Sequence, residues 1–416
     1  MSPRAAAAIA LITAALCATG ARPAHAISFF STDGLGETVS PATARGRALG
    51  GVSVPLVDPA RVSLENPALL AAIERVSFTA IYVVERREAE SDDVTGSFSD
   101  GTFPFLYGAV PFKTYAVFGI GLLREQETTA NPLTIENVAT PAEHSLRFQR
   151  GGDIFRIPVS LATRVQPWLA IGASLDAWFG SIEEQRTVDF TSSSFRDTRD
   201  RRLDEVDGTG WSVGVLVEPR AGIAIGGRYR SEETLTGTRK LETIDGGSGA
   251  SEIEHSVPAS LSGGALVQVR PRVNLAFEVR RDLWDGAEGD SPVAGGFVDV
   301  TRVGGGVEIA ASAETDASFV QRRPWRVGFH RADWHFRDRD GDTIPEWVAT
   351  AGTSFALGGT AGNADLFFEY GRRGALAENG LRESLVRVGF GLSGGEPWKK
   401  PTRGRRGSVP ATTPTY

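Results

Sequence analysis

The sequence has very little cysteine and, beyond its first residues, no long apolar run. Of its 416 residues only Cys17 is a cysteine. A single cysteine excludes an internal disulfide, so an exported form of this chain must be stabilised in another way. No stretch after residue 26 approaches the roughly 18 apolar residues of a transmembrane helix. These absences exclude a disulfide-rich secreted domain and a helical membrane protein.

Helical patterning is also scarce, since apolar residues recur with helical spacing only near Pro67–Arg75. The composition is 41% hydrophobic, with 49 Gly, 22 Phe and 8 Trp. A glycine-rich and aromatic-rich chain with little helix is typical of a transmembrane β-barrel, which needs only every second residue apolar on its lipid-facing side. The net charge of −7 and the pI near 5.5 argue against a nucleic-acid partner and fit acidic surface loops.

The first 26 residues have the pattern of a secretory signal peptide. Arg4 precedes the apolar run Ala5–Ala18, and Ala24-His25-Ala26 forms a small-residue cleavage site before Ile27. The alternative is a lipoprotein anchored at Cys17, but Leu16 is too large for that signal. We therefore expect export and cleavage after residue 26.

Alternation of apolar and polar residues is the clearest pattern in the remaining chain. Leu169, Ile171, Ala173 and Leu175 share one face of a predicted strand, and Ser174 and Asp176 lie on the other. Similar patterns predict about fourteen strands, near residues 75–85, 103–110, 114–124, 153–163, 168–188, 209–218, 221–230, 259–269, 273–280, 297–309, 323–331, 347–357, 364–371 and 383–393. A soluble β-sandwich would also alternate, but charge on the second face of nearly every strand favours a membrane barrel.

The connections between predicted strands alternate between short and long. A Val-x-Pro turn recurs at Val165, Val217 and Val269, a spacing of 52 residues. Long polar loops are predicted at residues 86–102, 125–152, 191–208, 231–256, 281–296 and 332–345. Short turns on one rim and long loops on the other are typical of outer-membrane barrels, with the short turns in the periplasm. The connection through residues 313–323 is longer than such a turn should be.

A glycine-rich segment precedes the first predicted strand, with Ala44-Arg45-Gly46-Arg47-Ala48-Leu49-Gly50-Gly51 followed later by Asn66-Pro67-Ala68. These residues resemble the N-terminal segment of the FadL/TodX family of outer-membrane transporters for hydrophobic compounds, including PorV-like relatives. The resemblance implies an all-β fold, a transmembrane antiparallel β-barrel of about 14 strands with an N-terminal hatch in the lumen. The implied hatch residues are Arg47, Leu49, Gly50, Gly51, Asn66, Pro67 and Ala68.

The resemblance divides the chain into four parts. Residues 1–26 are the signal peptide, residues 27–74 the hatch, residues 75–398 the outer-membrane barrel, and residues 399–416 a disordered periplasmic tail. The last strand, ending near Leu392 with Trp398 shortly after, is similar to the end of the family's barrels, but this chain continues instead of ending on an aromatic residue.

The function implied by the resemblance is passive uptake of hydrophobic compounds, such as long-chain fatty acids or aromatics, through a hatch-gated, porin-like lumen in the outer membrane of a Gram-negative envelope. The alternative, from the PorV-like relatives, is a barrel that binds partners in secretion or surface attachment and transports nothing. The expected partners are outer-membrane lipid and lipopolysaccharide, a hydrophobic ligand, and the barrel-assembly machinery during biogenesis. No cofactor is expected. An enzyme is not predicted, because no Gly-x-Ser-x-Gly motif or cysteine nucleophile accompanies the histidines.

Two further sets of residues are candidate sites. Asp338, Asp340 and Asp342 surround Gly341 and predict either an acidic surface turn or a weak Ca²⁺ site. The second set consists of charged residues on the inward strand faces, which predict either a solvated network around the hatch or cations that meet a substrate carboxylate. These inward residues are Asp176, Arg228, Arg230, Glu278, Arg280, Glu369 and Arg387.

Overall fold

The computed structural model is a closed antiparallel barrel of fourteen strands, which confirms the predicted fold class. It describes residue 30 and residues 34–91, 95–112, 116–138, 143–192, 194–287, 296–314, 316–338, 340–357 and 362–396, with the backbone alone over 129–138. The predicted signal peptide and tail lie outside these residues, as does the first part of the predicted hatch. No helix in the described part of the chain is long and apolar enough to cross a membrane.

Seventeen strand segments are defined within these ranges, one of them a two-residue strand before the barrel. They are β1 (Glu37–Thr38), β2 (Val76–Ser91), β3 (Thr95–Phe112), β4 (Ala116–Val138), β5 (His144–Gln166), β6 (Leu169–Phe190), β7 (Thr198–Arg220), β8 (Ile223–Arg230), β9 (Glu233–Thr243), β10 (Ser248–Val257), β11 (Ser260–Arg270), β12 (Val273–Asp282), β13 (Val300–Ile309), β14 (Trp325–Asp333), β15 (Pro345–Leu357), β16 (Gly362–Arg373) and β17 (Leu381–Glu396). Short helices span Ala44–Arg47 (α1), Pro67–Ala72 (a 3-10 helix) and Leu376–Asn379 (α2).

Fourteen barrel strands result because two pairs of segments continue one another. β8 pairs with the lower part of β7 and β9 with its upper part, so β8 and β9 together form one barrel strand. β11 pairs with β8 and β10 with β9, so β11 and β10 form the next barrel strand. Each strand otherwise pairs with its sequence neighbour, and β17 closes the ring against β2, from Glu396 opposite Val76 to Leu381 opposite Ser91. Closure leaves no open sheet edge around the lower ring, which a membrane-spanning sheet requires.

The prediction of long loops is wrong for several segments, because strands continue through those residues. β4, β5, β6 and β7 are 22 or 23 residues long, whereas β12, β13 and β14 have 9 or 10. The upper parts of these longer strands carry charge on both faces and form cross-strand ion pairs, such as Asp204 of β7 with Arg239 of β9 at 2.8 Å. These segments lack the alternation of apolar and polar residues from which the other strands were predicted. We call the upper parts of β4–β7 with β9 and β10 the tall wall.

The predicted alternation matches the barrel's two faces. Leu175 is 71% exposed on the outer surface, and the next residue, Asp176, is 2% exposed inside. Phe78, Phe277 and Phe329 also lie on the outer surface, where acyl chains would cover them. The inner face is polar, so it needs a filling that satisfies its charges.

The chain before β2 supplies that filling. We call residues 34–74 the plug segment. Its residues contact the inward side of strands on all sides of the ring: Leu70 lies beside Gly119 of β4, Pro67 beside Gly172 of β6, Val54 beside Gly226 of β8, and Leu49 beside Gly328 of β14. Contacts with strands on opposite sides of the ring place the segment inside the lumen.

Local capping explains how the plug segment turns within so small a space. The Thr43 side chain accepts the Gly46 N–H and begins α1, and the Asn66 side chain accepts the Ala68 N–H and begins the 3-10 helix. Gly50 and Gly51, with φ of 73° and 76°, form a left-handed turn in which a side chain would be strained. The carbonyl oxygens of Phe329 and Gly305 lie within 2.6 Å of where a Gly50 Cβ would stand.

We predict that Gly226→Ala destabilises the barrel by about 1–3 kcal/mol, because overpacking at a rigid contact has that cost. A Cβ at position 226 would lie 2.2 Å from the Val54 carbonyl oxygen. The matched control is Gly263→Ala on the adjacent β11, where a Cβ would meet nothing within 4 Å. Denaturant unfolding of the refolded barrel in detergent measures both. Equal stability of the two variants would contradict the packed position of the plug segment.

Candidate functional site

The centre of the lumen contains a buried cluster of ion pairs between the plug segment and the wall. Glu65 of the plug segment accepts hydrogen bonds from Arg156 at 3.3 Å and from Arg228 at 2.8 Å. Arg156, only 1% exposed, also binds Glu125 at 3.0 Å and Asp176 at 3.1 Å. One arginine on β5 therefore joins the plug segment to β4 and β6.

A second cluster lies where α1 approaches β13–β16. Arg45 binds Glu308 at 2.8 Å, and Arg61 binds Asp365 at 2.7 Å and Asp58 at 2.8 Å. Burial alone would raise the pKa of Asp58, but the neighbouring guanidinium groups of Arg61 and Arg45 hold that pKa below its ordinary value. A depressed carboxyl pKa stabilises the fold at neutral pH, and that contribution is lost only as the pH falls through the lowered value.

A third cluster surrounds Glu37 at the start of the plug segment. Its carboxylate binds Arg373 at 2.7 Å, Arg87 at 2.8 Å and Arg387 at 3.2 Å. Burial would raise the pKa of Glu37, but these guanidinium groups hold it far below its ordinary value. A single carboxylate thus draws together β2, β16 and β17, on the side of the ring where the barrel closes.

All of the inward residues predicted from the sequence lie on the lumen side, and each has a partner there. Glu278 accepts the backbone N–H groups of Ser53 at 2.6 Å and Val54 at 2.8 Å. The remaining pairs are Asp176 with Arg156, Arg228 with Glu65, Arg230 with Glu125, Arg280 with Asp282, and Glu369 and Arg387 with one another. Arg228 and Glu278 contact the plug segment, whereas the other pairs in this list join residues of the wall, and both readings of this set stay predictions.

The predicted hatch residues also lie in these contacts. Arg47 is 4% exposed, 3.5 Å from Glu369 and bound to the Ser40 carbonyl oxygen at 3.0 Å. Asn66 is fully buried and donates to the carbonyl oxygens of Val54 and Val215, both at 3.0 Å. Leu49 and Ala68 are fully buried in apolar clusters. Whether any of these residues moves as a hatch stays a prediction.

Above the plug segment lies a cavity of about 180 Å³ whose lining is dominated by charge. Arg302 and Arg280 face it together with the Glu37 cluster, and Trp284 and Trp334 cover it from the loops. His335 stacks on Trp284 with ring centroids 4.6 Å apart. Burial and the positive charge of Arg373 lower the pKa of His335 to about 3, so this ring is neutral at physiological pH. The cavity therefore offers a polar interior beneath an aromatic cover.

The wall beside this cavity has a cleft between β3 and β4. These strands pair only from Phe105 opposite Leu123 down to Phe112 opposite Ala116. Above that level the described part of β3 pairs with β2, and β4 pairs with β5 and with the two residues of β1. The two strands thus separate partway up the barrel.

The acidic turn at Asp338 is held by its own hydrogen bonds. The Asp338 carboxylate accepts the backbone N–H groups of Asp340 at 3.0 Å and Asp342 at 2.8 Å, and the Asn379 side chain donates to it at 2.7 Å. Across the described ranges, no group of three or more His, Cys, Asp or Glu residues is arranged to hold a metal ion. The Ca²⁺ alternative gains no support from this geometry.

Sequence reasoning missed several residues of these clusters. Glu65, Arg156, Glu125 and Glu308 are central to the clusters, yet none was singled out. Arg156 and Glu308 share their strand's polar face in the same way as Asp176 does, so a stricter use of the alternation would have found them. Glu65 and Glu37 follow no periodic pattern, and only the three-dimensional structure places them.

The family of the chain is shown by a match over nearly its whole length. The BamG family model matches residues 4–403. The chain belongs to the BamG family. No curated protein matches it.

Solved structures share the barrel of this BamG-family chain at low sequence identity. The Ralstonia pickettii toluene transporter TbuX is 16% identical, with a TM-score of 0.61 over 86% of this chain and 98% of that one. The monoaromatic hydrocarbon channel CymD is 16% identical with a TM-score of 0.60, and a Pseudomonas aeruginosa FadL homologue is 14% identical with a TM-score of 0.59, at the same coverage. These similarities show the fold, and the expected FadL-type architecture is confirmed at that level.

We predict that Glu65→Gln lowers the free energy of unfolding by about 3–5 kcal/mol, because it removes the carboxylate that pairs with the buried Arg228 and one of the three carboxylates that bind Arg156. The matched control is Glu205→Gln, which removes the partner of Lys240 in an ion pair about half exposed on both sides. That change should cost at most about 1 kcal/mol. Denaturant unfolding at neutral pH measures both. Similar small losses would mean that the central cluster does not hold the plug segment.

Proposed function

We propose that this chain is an outer-membrane barrel with a closed lumen that acts by binding partners, not by conducting solutes. The observation that carries the proposal is the set of buried ion pairs joining the plug segment to the wall. Contacts from Glu65, Arg45, Arg61 and Glu37 reach strands around the whole ring. Displacing the plug segment would separate several buried charges at once, and each broken pair costs several kcal/mol.

The lining of the cavity also supports a partner-binding role. A site for a hydrocarbon is usually lined mainly by apolar and aromatic side chains. This cavity instead has Arg280, Arg302, Glu346 and Glu369 in its lining. An apolar ligand placed there would remove water from charged groups without replacing their hydrogen bonds, which is unfavourable.

The partner class that we favour is the outer-membrane barrel-assembly machinery. Membership of the BamG family supports a role related to barrel assembly. The tall wall adds a charged sheet surface above the membrane, with ion pairs such as Arg201 to Glu183 at 2.6 Å exposed to solvent. Charged surfaces of this kind steer and orient partners, and they interact with lipopolysaccharide phosphates through cations.

Uptake of hydrophobic compounds is the second candidate function. The cleft between β3 and β4 favours it, because an apolar molecule could leave the barrel sideways into the membrane there. The shared fold with toluene and monoaromatic hydrocarbon channels is compatible with it. In this version the ligand enters from the loops and passes beside the plug segment after that segment shifts.

We predict that the purified protein gives no conductance steps in planar lipid bilayers and carries no stoichiometric apolar ligand in native mass spectrometry. The closed lumen is the reason for both results. A triple variant with Arg45→Gln, Arg61→Gln and Glu65→Gln loosens the plug segment and should give current, provided that unboiled electrophoresis shows a folded barrel. This variant is the control that the assay detects an open lumen.

Each result separates the two functions. A fatty acid or aromatic hydrocarbon bound one per protein, or steady current through the unaltered protein, would overturn the partner-binding proposal and favour uptake. Copurification of barrel-assembly components in stoichiometric amounts with a ligand-free, non-conducting protein would support it.

A further inference from the structure

The cleft between β3 and β4 exposes two strand edges at a defined height. The eight residue pairs below it, from Phe112 opposite Ala116 to Phe105 opposite Leu123, rise about 23 Å along the strands at ~3.3 Å per residue. At a strand tilt of about 40° this is a height of about 18 Å, so the cleft begins within the outer half of the membrane. Unpaired N–H and C=O groups at that height are a template for another strand.

The plug segment already uses this template. In β1, Glu37 lies opposite Glu127 and Thr38 opposite Gln126, and the Val39 N–H donates to the Glu125 carbonyl oxygen at 3.0 Å. Because β5 occupies the other side of β4, β1 stands in the place that β3 leaves. The edge therefore accepts an antiparallel strand.

The strand that covers this edge is short. Gly34 and Gly36, with φ of 60° and 93°, bend the chain just before Glu37, and the Thr128 hydroxyl donates to the Leu35 carbonyl oxygen at 3.0 Å, so contact with β4 extends to Thr128. Above Glu127, the described part of β4 pairs only with β5, up to Val138 opposite His144. About ten further residues of β4 can thus hold a longer strand than the one that covers it now.

Glu37 fixes this short strand in place. Its carboxylate is bound by Arg373, Arg87 and Arg387 at 2.7–3.2 Å, whereas the strand pairing itself spans only three residues. The anchoring arginines have other carboxylates, since Arg373 also binds Glu346 and Arg387 also binds Glu85. Removing the Glu37 carboxylate should therefore release the strand without leaving these cations unpaired.

We propose that the β3–β4 cleft is a strand-docking site, covered by β1 as a removable latch, for an extended β-strand of a partner outer-membrane polypeptide. This inference rests on the proposed partner-binding function. An incoming strand replaces β1 in the ladder with β4 and continues along the open edge above it, a mode in which main-chain hydrogen bonds supply affinity.

The charge at the cleft indicates which strands fit. Asp100 on β3 faces the same cavity as Glu127 on β4, and Asp153 lies beside Glu127 on β5. Arg124 is the nearby cation, 3.1 Å from Glu127 and 3.3 Å from Asp153. Three carboxylates against one guanidinium favour an incoming strand with Lys or Arg on its inward face.

A disulfide across the latch tests the proposal. Thr38 and Gln126 lie directly opposite each other in an antiparallel pairing. Residues opposite each other in such a pairing have Cα atoms about 4.5–5.5 Å apart, within the range that a cystine spans. The Thr38→Cys/Gln126→Cys variant, oxidised, locks β1 on β4. Only one other cysteine exists, Cys17 in the predicted signal peptide. Glu37→Ala provides the opposite, released state.

The probe is a fluorescent synthetic peptide that copies residues 34–43. Its control is the same peptide carrying Val39→Pro, which lacks the N–H that donates to the Glu125 carbonyl oxygen. Fluorescence anisotropy should show binding to Glu37→Ala at least tenfold tighter than to the oxidised double-cysteine variant. Reduction should restore binding, and the proline peptide should bind neither variant.

Two results would overturn the strand-docking site. One is equal binding of the first peptide to the locked and released variants, which would place its site elsewhere. The other is no binding to a folded Glu37→Ala barrel. In a further outcome, the locked variant still copurifies with as much of the barrel-assembly components as the unaltered protein does. Together with either result above, that outcome would leave the proposed function intact and exclude only the cleft as the binding site. If the unaltered protein does not copurify with barrel-assembly components, the proposed function itself is overturned, whatever the peptides bind.

Discussion

The pairing of buried charges between the plug segment and the barrel wall is the interaction on which this structure depends. A membrane barrel with an apolar outer surface has a polar interior, and a chain segment can fill that interior only if it satisfies the wall's charges. Glu65, Arg45, Arg61 and Glu37 do so from one side, and Arg156, Glu308, Asp365 and Arg373 from the other. The glycines on the inner face let the two backbones approach closely enough for these pairs to form.

The barrel itself could be predicted from the sequence, because period-two alternation is set by a single strand and its two environments. Leu175 and Asp176 are neighbours in sequence and face lipid and lumen, as the pattern indicates. The tall wall could not be predicted in this way, since its strands have water on the outside and charge on both faces. Only part of the ion pairs could be predicted from the sequence. Asp176, Arg228 and Arg230 of the wall follow the alternation, whereas Glu65 and Glu37 belong to a non-repeating segment whose path depends on the closed ring.

The fold of this chain is compatible with hydrocarbon transport, whereas its interior favours the proposed partner-binding role. Its barrel shares the fold of hydrocarbon channels, and its strands β3 and β4 separate in the wall. Its cavity is lined by charge, and the separation between β3 and β4 is partly filled by the chain's own strand. In the function that we propose, the barrel keeps the fold of a transporter, the lumen is a fixed core, and the wall binds another polypeptide. Membership of the BamG family fits that change of use.

The central claim is that residues 44–72 of the plug segment, which follow the β1 latch, are a fixed part of the core and not a mobile gate. Hydrogen–deuterium exchange of the folded protein in detergent or lipid discs tests it most directly, because it reports local opening. We expect amides of residues 44–72 to be protected to the same degree as those of β5, β6 and β13, with exchange only on global unfolding. Exchange of the plug segment in minutes, while the barrel strands stay protected, would contradict the account and favour a hatch that opens.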